Sequence, residues 1–330
     1  MTFKRLTPAA RPVLLDAAQF ESRVRAHESF VAGRPDGRRA LLRYAVARAL
    51  RCDRRKLPDA DFTAADLSGT TFVGADLSRS SFYCANLTRC DFRGATLLRS
   101  DLRGATFAGA KLGGANLDQA DMRAAILCVA DEALGLRWVG GQAQVAGSRL
   151  NGADLTDAVA FAVDFSNCSL KGAMLRNANL KNANFTDANL DGVDLAGAKL
   201  AGVTLTGAIL TNVDTGLLQR SGVQLAGCVL DPTGEAIGRR DVIAAEIDRS
   251  HRWIESNGDV GQPAGLDDLD LRPAGQLFRN RLLGGMNARR TIGVGVDFSG
   301  AQLQGAVFDD ADLRAANFTG ADLRGVSFLR

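Results

Sequence analysis

The residues of this chain that could do chemistry are above all aspartates, and many of them recur at intervals of five. Asp66, Asp76 and Asp101 are examples, and each stands immediately before a large apolar residue. Aspartates in such numbers could act as catalytic acids. Their regular spacing favours a structural role instead, because Asp and Asn at corners of the chain accept hydrogen bonds from local backbone.

The six cysteines and two histidines do not form a recognisable site. Cys90, Cys168 and Cys228 stand where the repeating pattern elsewhere has alanine, and a buried thiol there acts as a small apolar side chain. No pair has the Cys-x-x-Cys spacing of a metal site. His27 and His251 stand in unrelated segments, so the sequence predicts no zinc site, no Cys–His catalytic pair and no cofactor.

Basic residues are concentrated near the N-terminus. Residues 1–56 contain 14 Lys and Arg against 5 Asp and Glu, whereas residues 57–330 contain 26 against 32. Two helices are predicted near the N-terminus, over about residues 13–31 and 38–51. Arg38, Arg39, Arg43 and Arg48 lie on one face of the second, whose other face is apolar. The basic face could bind nucleic acid or an acidic protein. In the alternative interpretation, the apolar face covers the end of the core and the arginines are solvated.

All these residues must be positioned by a repeat of five, a period that fits neither an amphipathic helix nor a flat strand. Every fifth residue from Leu57 to Leu127 is large and apolar, and the residue two before it is usually small. Side chains two apart lie on the same side of an extended segment, so both can point into one core. The series restarts in a new phase at Leu150 and again at Phe298. The predicted core ladder includes Leu67, Phe72, Leu77, Phe82, Leu87, Phe92, Phe165, Leu175, Leu180, Phe185, Leu190, Phe308, Leu313 and Phe318.

The unit Ala65-Asp66-Leu67-Ser68-Gly69 and its successors resemble the pentapeptide-repeat family over the larger part of the chain. The resemblance implies an all-β solenoid, namely a right-handed, quadrilateral parallel β-helix in which each side is one pentapeptide and about four units complete a coil. No single coil can bury its own apolar side, so stacked coils stabilise one another through contacts between neighbours.

Breaks in the repeat divide the chain into six predicted segments. They are a helical, basic N-terminal cap (1–56), a first repeat block (57–127), a loop interruption (128–149), a second block (150–230), a helical insertion (231–295) and a third block (296–330). Within the insertion we predict one helix over about residues 235–256 and a second around residues 276–283. In the second block, Arg220 falls at an inward position and is expected to bulge outwards, because burying its charge would be costly.

The sequence predicts a non-enzymatic scaffold that binds a protein partner through its loops and its insertion. No nucleophile elbow, P-loop, dinucleotide fingerprint or metal cluster is found. No apolar segment is long enough to span a bilayer and the N-terminus has no signal-peptide core, so we expect a cytoplasmic, bacterial protein without membrane contact. The candidate partner-binding residues are basic or aromatic: Arg38, Arg39, Arg43, Arg48, Trp138, Arg239, Arg240, Trp253, Arg289 and Arg290.

Two alternatives stay open at this level. In the family, the best-understood members are quinolone-resistance proteins that bind DNA gyrase and topoisomerase IV and resemble duplex DNA in width and acidity. The hypothesis of topoisomerase binding is less favoured here, because a DNA mimic needs a strong negative field and residues 150–230 have a net charge of only −2. The other alternative is nucleic-acid binding through the basic N-terminal helix, where few aromatic residues are available for base stacking.

The last repeat ends in apolar residues and no predicted helix follows it. An uncovered apolar end favours association, so we predict a homodimer through the C-terminal coil, related by a two-fold contact. Capping of that coil by the helix predicted for residues 235–256 is the alternative.

Overall fold

The computed structural model describes residues 12–131 and 137–329, with the backbone alone for residues 129–131 and 137–140. The chain forms two compact units, Met1–Leu230 (unit 1) and Asp231–Arg330 (unit 2). In the described part of each unit, a helix precedes a solenoid.

Each coil of the solenoid in unit 1 has four sides of five residues. Single parallel β-bridges join residues 20 positions apart, from Leu41–Asp61 to Thr106–Ile126. The middle residue of each side points to the axis and is buried together with the small residue two before it, as Ala65 and Leu67 show. The predicted solenoid is therefore present. In unit 1 the predicted ladder residues are all buried, whereas in unit 2 Phe308 is buried and Leu313 and Phe318 are half-buried.

The solenoid begins at about Ala40, inside the segment that we predicted as a helix. Leu42, Ala47 and Cys52 are buried on the axis and extend the series of five upstream of Leu57. The helix predicted for residues 38–51 is therefore wrong. Small side chains at two inward positions hide the period of five, and the remaining apolar residues happen to fit a helical spacing.

The N-terminal end of this solenoid is covered by a different helix. Strand β1 (Val13–Leu14) pairs in parallel with β2 (Ala45–Val46), and helix α1 (Ala17–Val31) follows, in the region of the helix predicted for residues 13–31. Asp16 caps α1 in a reciprocal capping box with Gln19. Phe20 and Val24 of α1 are buried in the core of unit 1, and His27 of the same helix is also buried.

Side chains of α1 also bind backbone groups at the open edge of the first coil. The Ala40 N–H donates to His27 Nδ1 over 3.0 Å, and the Lys56 N–H donates to Glu28 Oε1 over 3.2 Å. Arg55 adds ion pairs to Glu21 (3.1 Å) and to Glu28 (2.9 Å). These contacts matter because the first coil is a sheet edge, and an uncovered edge leaves polar groups unpaired and invites association.

A hairpin interrupts unit 1 without changing the register of its coils. It consists of β3 (Cys128–Asp131) and β4 (Arg137–Gln142), which are antiparallel. Across it, bridged residues such as Lys111 and Gln144 are 33 positions apart instead of 20. The repeat resumes with Val145 on the axis, so the interruption is shorter than the predicted 128–149.

A short helix, α2 (Thr215–Arg220), replaces one side near the end of unit 1. Its Leu218 is fully buried in the core of the unit. Arg220 points outwards with 71% of its side chain exposed, 3.7 Å from Asp214. The expected outward bulge of Arg220 is therefore present.

Unit 2 begins with α3 (Gly234–Gly238) and α4 (Arg240–Glu255), in the region of the predicted helix 235–256. A second solenoid starts near Ala264, and Gly265 is already bridged to Asn287. The helix predicted for residues 276–283 is wrong, since Phe278 and Leu283 are buried as inward residues; the only helical segment described after α4 is a 3₁₀ turn, Arg272–Ala274. The predicted insertion therefore ends about thirty residues too late.

Helix α4 covers the first coil of unit 2 as α1 covers that of unit 1. Ile243 and Ile247 are buried in the core of unit 2. Glu246 accepts the Gly265 N–H over 3.3 Å, and His251 Nδ1 accepts the Leu282 N–H over 3.2 Å. The helix thus lies at the first coil and does not cap the last one. Each unit is a separately capped solenoid.

One buried hydroxyl on α4 lacks a hydrogen-bond partner. Ser250 is fully buried and its hydroxyl makes no hydrogen bond in the structure. We expect Ser250→Ala to raise the free energy of unfolding of unit 2 by about 1 kcal/mol, because it removes an unsatisfied polar group and improves helix propensity. Urea denaturation measures this change.

Ser256 provides the matched control at the end of the same helix. Its hydroxyl accepts the Val260 N–H over 2.8 Å, so Ser256→Ala should lower stability by about 1 kcal/mol. Equal effects of the two substitutions would contradict the assignment of Ser250 as unsatisfied.

Candidate interaction surface

The outward residues of each side occupy its second, fourth and fifth positions, and aspartate is frequent at the second. Asp66, Asp76 and Asp101 each accept the backbone N–H two residues further on, over 3.1, 3.0 and 3.3 Å respectively. The aspartates therefore stabilise the local turn of the side, as their spacing suggested.

Where arginine follows at the fourth position, it closes a fork on that aspartate. In Asp91–Arg93, for example, the guanidinium donates from Nε and Nη2 to the two carboxylate oxygens, with Nη2 at 2.7 Å. The hydrogen bonds from Arg324 lower the pKa of Asp322 to about 2. Bidentate pairs of this kind are strong because the planar guanidinium matches the carboxylate. The other forks are Asp101–Arg103, Asp121–Arg123, Asp270–Arg272 and Asp312–Arg314.

Further ion pairs connect neighbouring coils. Arg79 donates to Asp59 over 2.7 Å across one coil spacing. Arg103 and Arg123 each reach the carboxylate of the next coil, Asp121 and Asp154, at 3.6 Å. The charges of the solenoid are thus largely paired with one another, which leaves little net field to attract a distant partner.

The four outer surfaces of unit 1 can be compared directly, because the bridges align the coils. We name them by the inward residue of the second coil: face A on Phe62, face B on Leu67, face C on Phe72 and face D on Leu77. We count the charged outward residues between residues 41 and 212, leaving out the hairpin. Face A has 4 basic and 6 acidic residues, face B has 4 basic and 1 acidic, face C has 4 basic and 4 acidic, and face D has 5 basic and 4 acidic. None of these faces has a net charge below −2.

The basic N-terminal candidates do not share one helical face. Arg39 donates to the Asp59 carbonyl over 2.5 Å, and Arg38 is exposed beside it in sequence. Arg43 on face A pairs with Asp61 at 2.5 Å, and Arg48 on face B pairs with Asp66 at 2.6 Å. The first coil distributes these arginines around its circumference, so the predicted basic helical surface is not present.

The candidates in unit 2 lie on two elements. Arg239 and Arg240 stand at the start of α4, with carboxylates of Glu235 at 2.8 Å and Asp241 at 3.6 Å. Trp253 is half-buried on α4, and its indole faces Gly258. Arg289 and Arg290 pair with Asp267 (3.4 Å) and Asp268 (2.6 Å) on the preceding coil. Trp138 belongs to β4, but its side chain lies outside the described part.

The buried thiols show no sign of reactivity. Burial raises the pKa of Cys52, Cys90 and Cys168 to about 12, whereas a reactive cysteine needs a lowered pKa. Among the described residues, no group of three or more His, Cys, Asp or Glu side chains is placed to hold a metal ion. In the same residues, no helix is long and apolar enough to cross a bilayer.

Comparison with known proteins matches these coils to a family. The family described as pentapeptide repeats matches residues 60–97, 100–127, 142–177, 178–214 and 294–328, more than half of the chain. The chain belongs to the pentapeptide-repeat family. The match indicates no catalytic family. It leaves out residues 40–59 and 264–293, which the structure adds to the two solenoids of this pentapeptide-repeat protein.

Several solved structures are similar to this pentapeptide-repeat protein. HetL, a pentapeptide-repeat protein involved in heterocyst differentiation regulation in the cyanobacterium Nostoc sp. strain PCC 7120, has 19% identity over 94% of this chain and 96% of its own, with a TM-score of 0.37. QnrB1, a plasmid-mediated fluoroquinolone resistance protein, has 20% identity over 62% of this chain and 98% of its own, with a TM-score of 0.42. These values describe similarity of fold at most. No curated protein sequence matches the chain.

Proposed function

We propose that this protein is a non-enzymatic interaction scaffold whose two units each present a surface to a protein partner. The observation that carries the proposal is the outer surface of unit 1, which consists of flat, regularly spaced faces with internally paired charges. Side chains held in forks by backbone-anchored aspartates lose little further entropy on binding, and such preorganisation favours recognition. The hairpin of unit 1 and the helices α3 and α4 of unit 2 add irregular features from which specificity can arise.

The charge pattern does not favour a DNA mimic that binds gyrase or topoisomerase. A protein that competes with DNA must present uncompensated negative charge along one side. The most acidic face of unit 1, face A, has six acidic residues against four basic ones, and several of them are paired. Nucleic-acid binding is also disfavoured, since Arg43 and Arg48 lie on different faces and each pairs with an aspartate.

Site-specific photo-crosslinking in the full chain tests the scaffold proposal. A photoreactive phenylalanine analogue is placed at one exposed position per face: Tyr83 on face A, Arg89 on B, Asn167 on C and Arg99 on D. A scaffold predicts that one host protein crosslinks to one face or two adjacent faces, and that crosslinking persists at about 0.3 M salt, because long-range charge attraction is not needed. Equal crosslinking from all faces, or none above the unirradiated control, would contradict it. A crosslinked gyrase subunit would support the topoisomerase alternative.

We also propose self-association through the last coil of unit 2. Leu323, Phe328 and Leu329 of that coil are 38%, 48% and 70% exposed, and exposed apolar clusters mark contact sites. We expect Leu329→Glu to shift the sedimentation coefficient towards the monomer. Leu14→Glu, at a residue 78% exposed in unit 1, is the control and should not. A strict monomer at all concentrations would contradict self-association.

The cytoplasmic location of the protein stays a prediction.

A further inference from the structure

His27 holds α1 on the first coil through both of its ring nitrogens. Nδ1 accepts the Ala40 N–H over 3.0 Å, and Nε2 lies 2.9 Å from the Pro58 carbonyl, to which it can only donate. These two bonds fix one neutral tautomer, with the proton on Nε2. The imidazole is fully buried, so no water can replace either partner while α1 stays in place.

Protonation of the neutral His27 ring disrupts one of these two hydrogen bonds. It must enter at Nδ1, where the lone pair already accepts the Ala40 N–H. The Nδ1–H of His27 and the N–H of Ala40 would then face each other, and a positive charge would be buried between α1 and the first coil. We propose that His27 is an acid-sensitive latch, which holds α1 on unit 1 when neutral and releases it when protonated.

The charged groups around the ring decide whether the proton is tolerated. Burial is the main cause that lowers the pKa of His27; the Pro58 carbonyl opposes this, and Arg39 adds to it. Asp59 on the first coil and Glu28 on α1 act in the opposite direction, but Glu28 is already engaged by Arg55 and the Lys56 N–H. Glu21 is likewise bound by Arg55 and by Arg25. The carboxylates near His27 are therefore largely committed to other partners.

The sign of the pH dependence follows from the lowered pKa. The stabilisation that neutral His27 contributes is complete above the ordinary histidine pKa of about 6.5 and is lost as the pH falls below it, towards the pKa of the docked state. The docking equilibrium of α1 should weaken by about tenfold for each pH unit by which docking lowers that pKa. Carboxylates with ordinary pKa values near 4 stay ionised down to about pH 5.5. A pH change from 7.5 to 5.5 therefore titrates histidine without titrating these carboxylates.

Hydrogen exchange of the full chain, corrected for the intrinsic effect of pH, tests the latch. Between pH 7.5 and 5.5 we expect peptides covering residues 17–31 and 40–56 to lose protection by several-fold, reversibly, while the coils at residues 160–210 do not change. In His27→Asn the side-chain oxygen can accept the Ala40 N–H and cannot titrate, so protection should no longer depend on pH. His251→Asn is the matched control and should leave the response of α1 intact.

Two results would overturn the proposal. One is unchanged corrected protection of α1 in the wild-type protein at the two pH values. The other is a loss of protection in His27→Asn as large as in the wild type. If the variant undocks α1 at every pH, the wild-type protein still decides: an NMR titration of the His27 ring in the docked protein must then have its midpoint below the ordinary histidine pKa of about 6.5, and a midpoint at or above about 6.5 would refute the latch.

Discussion

Replacing Phe82 with alanine is expected to lower the free energy of unfolding of unit 1 by about 3–5 kcal/mol. The ring is fully buried. It stacks on Phe62 at a centroid distance of 4.8 Å and meets the edges of Phe72 and Phe92 at 6.3 and 6.2 Å. The coils above and below are held by backbone hydrogen bonds, so they cannot collapse into the space left by the ring, and a cavity persists.

The adjacent residue, Tyr83, gives the matched control for this substitution. It is 43% exposed and contributes a contact with Arg103, whose guanidinium lies 5.2 Å from its ring centroid. Tyr83→Ala should therefore cost less than about 1 kcal/mol. Urea denaturation followed by far-ultraviolet circular dichroism compares the two variants, and equal losses would show that the phenylalanine ladder is not the core of the solenoid.

Replacing Ile247 with aspartate is expected to destabilise unit 2 by more than about 3 kcal/mol and to leave unit 1 folded. Ile247 is buried in the core of unit 2, where α4 meets the first coil, so an aspartate there would place a charge in an apolar environment. Val242→Asp, on the same helix at a residue 57% exposed, should change stability by less than about 0.5 kcal/mol.

Hydrogen exchange of the full chain distinguishes the two units in this experiment. Ile247→Asp should remove protection from residues 264–329 while residues 60–127 keep theirs. Loss of protection in both units would show that they unfold together. Equal exchange in the Ile247 and Val242 variants would show that α4 is not a cap.

The ladder could be predicted from sequence because a large apolar residue at every fifth position fits neither a helix nor a flat strand. This pattern predicts Phe72 and Phe165 in the core, and both are buried. The ends of the solenoids could not be predicted in the same way. Ala47 in unit 1 and Ala288 in unit 2 stand at inward positions, but small residues there interrupt the visible pattern. The sequence consequently assigns the covering role to a helix at residues 38–51, although it also predicts a helix over residues 13–31, where α1 lies.

The surface was less predictable than the core. The Asp–Arg forks have a local signal, an aspartate and an arginine on either side of an inward residue, as in Asp121-Met122-Arg123. The charges of whole faces have no such signal, since they depend on the coil length and on the register across the hairpin. The backbone β-bridge between Asp121 and Asp154 joins residues 33 positions apart. It shows why that register cannot be predicted from a repeat of five alone.

Urea unfolding of the isolated fragment 231–330 tests most directly whether unit 2 is a separately capped solenoid. We predict a β-rich circular dichroism spectrum and a single cooperative transition, because the core of unit 2 and its covering helix α4 lie within this fragment. Fragment 296–330, which lacks α4 and the first coil, should be unfolded under the same conditions. A disordered fragment 231–330, or a fragment 296–330 of equal stability, would contradict the claim.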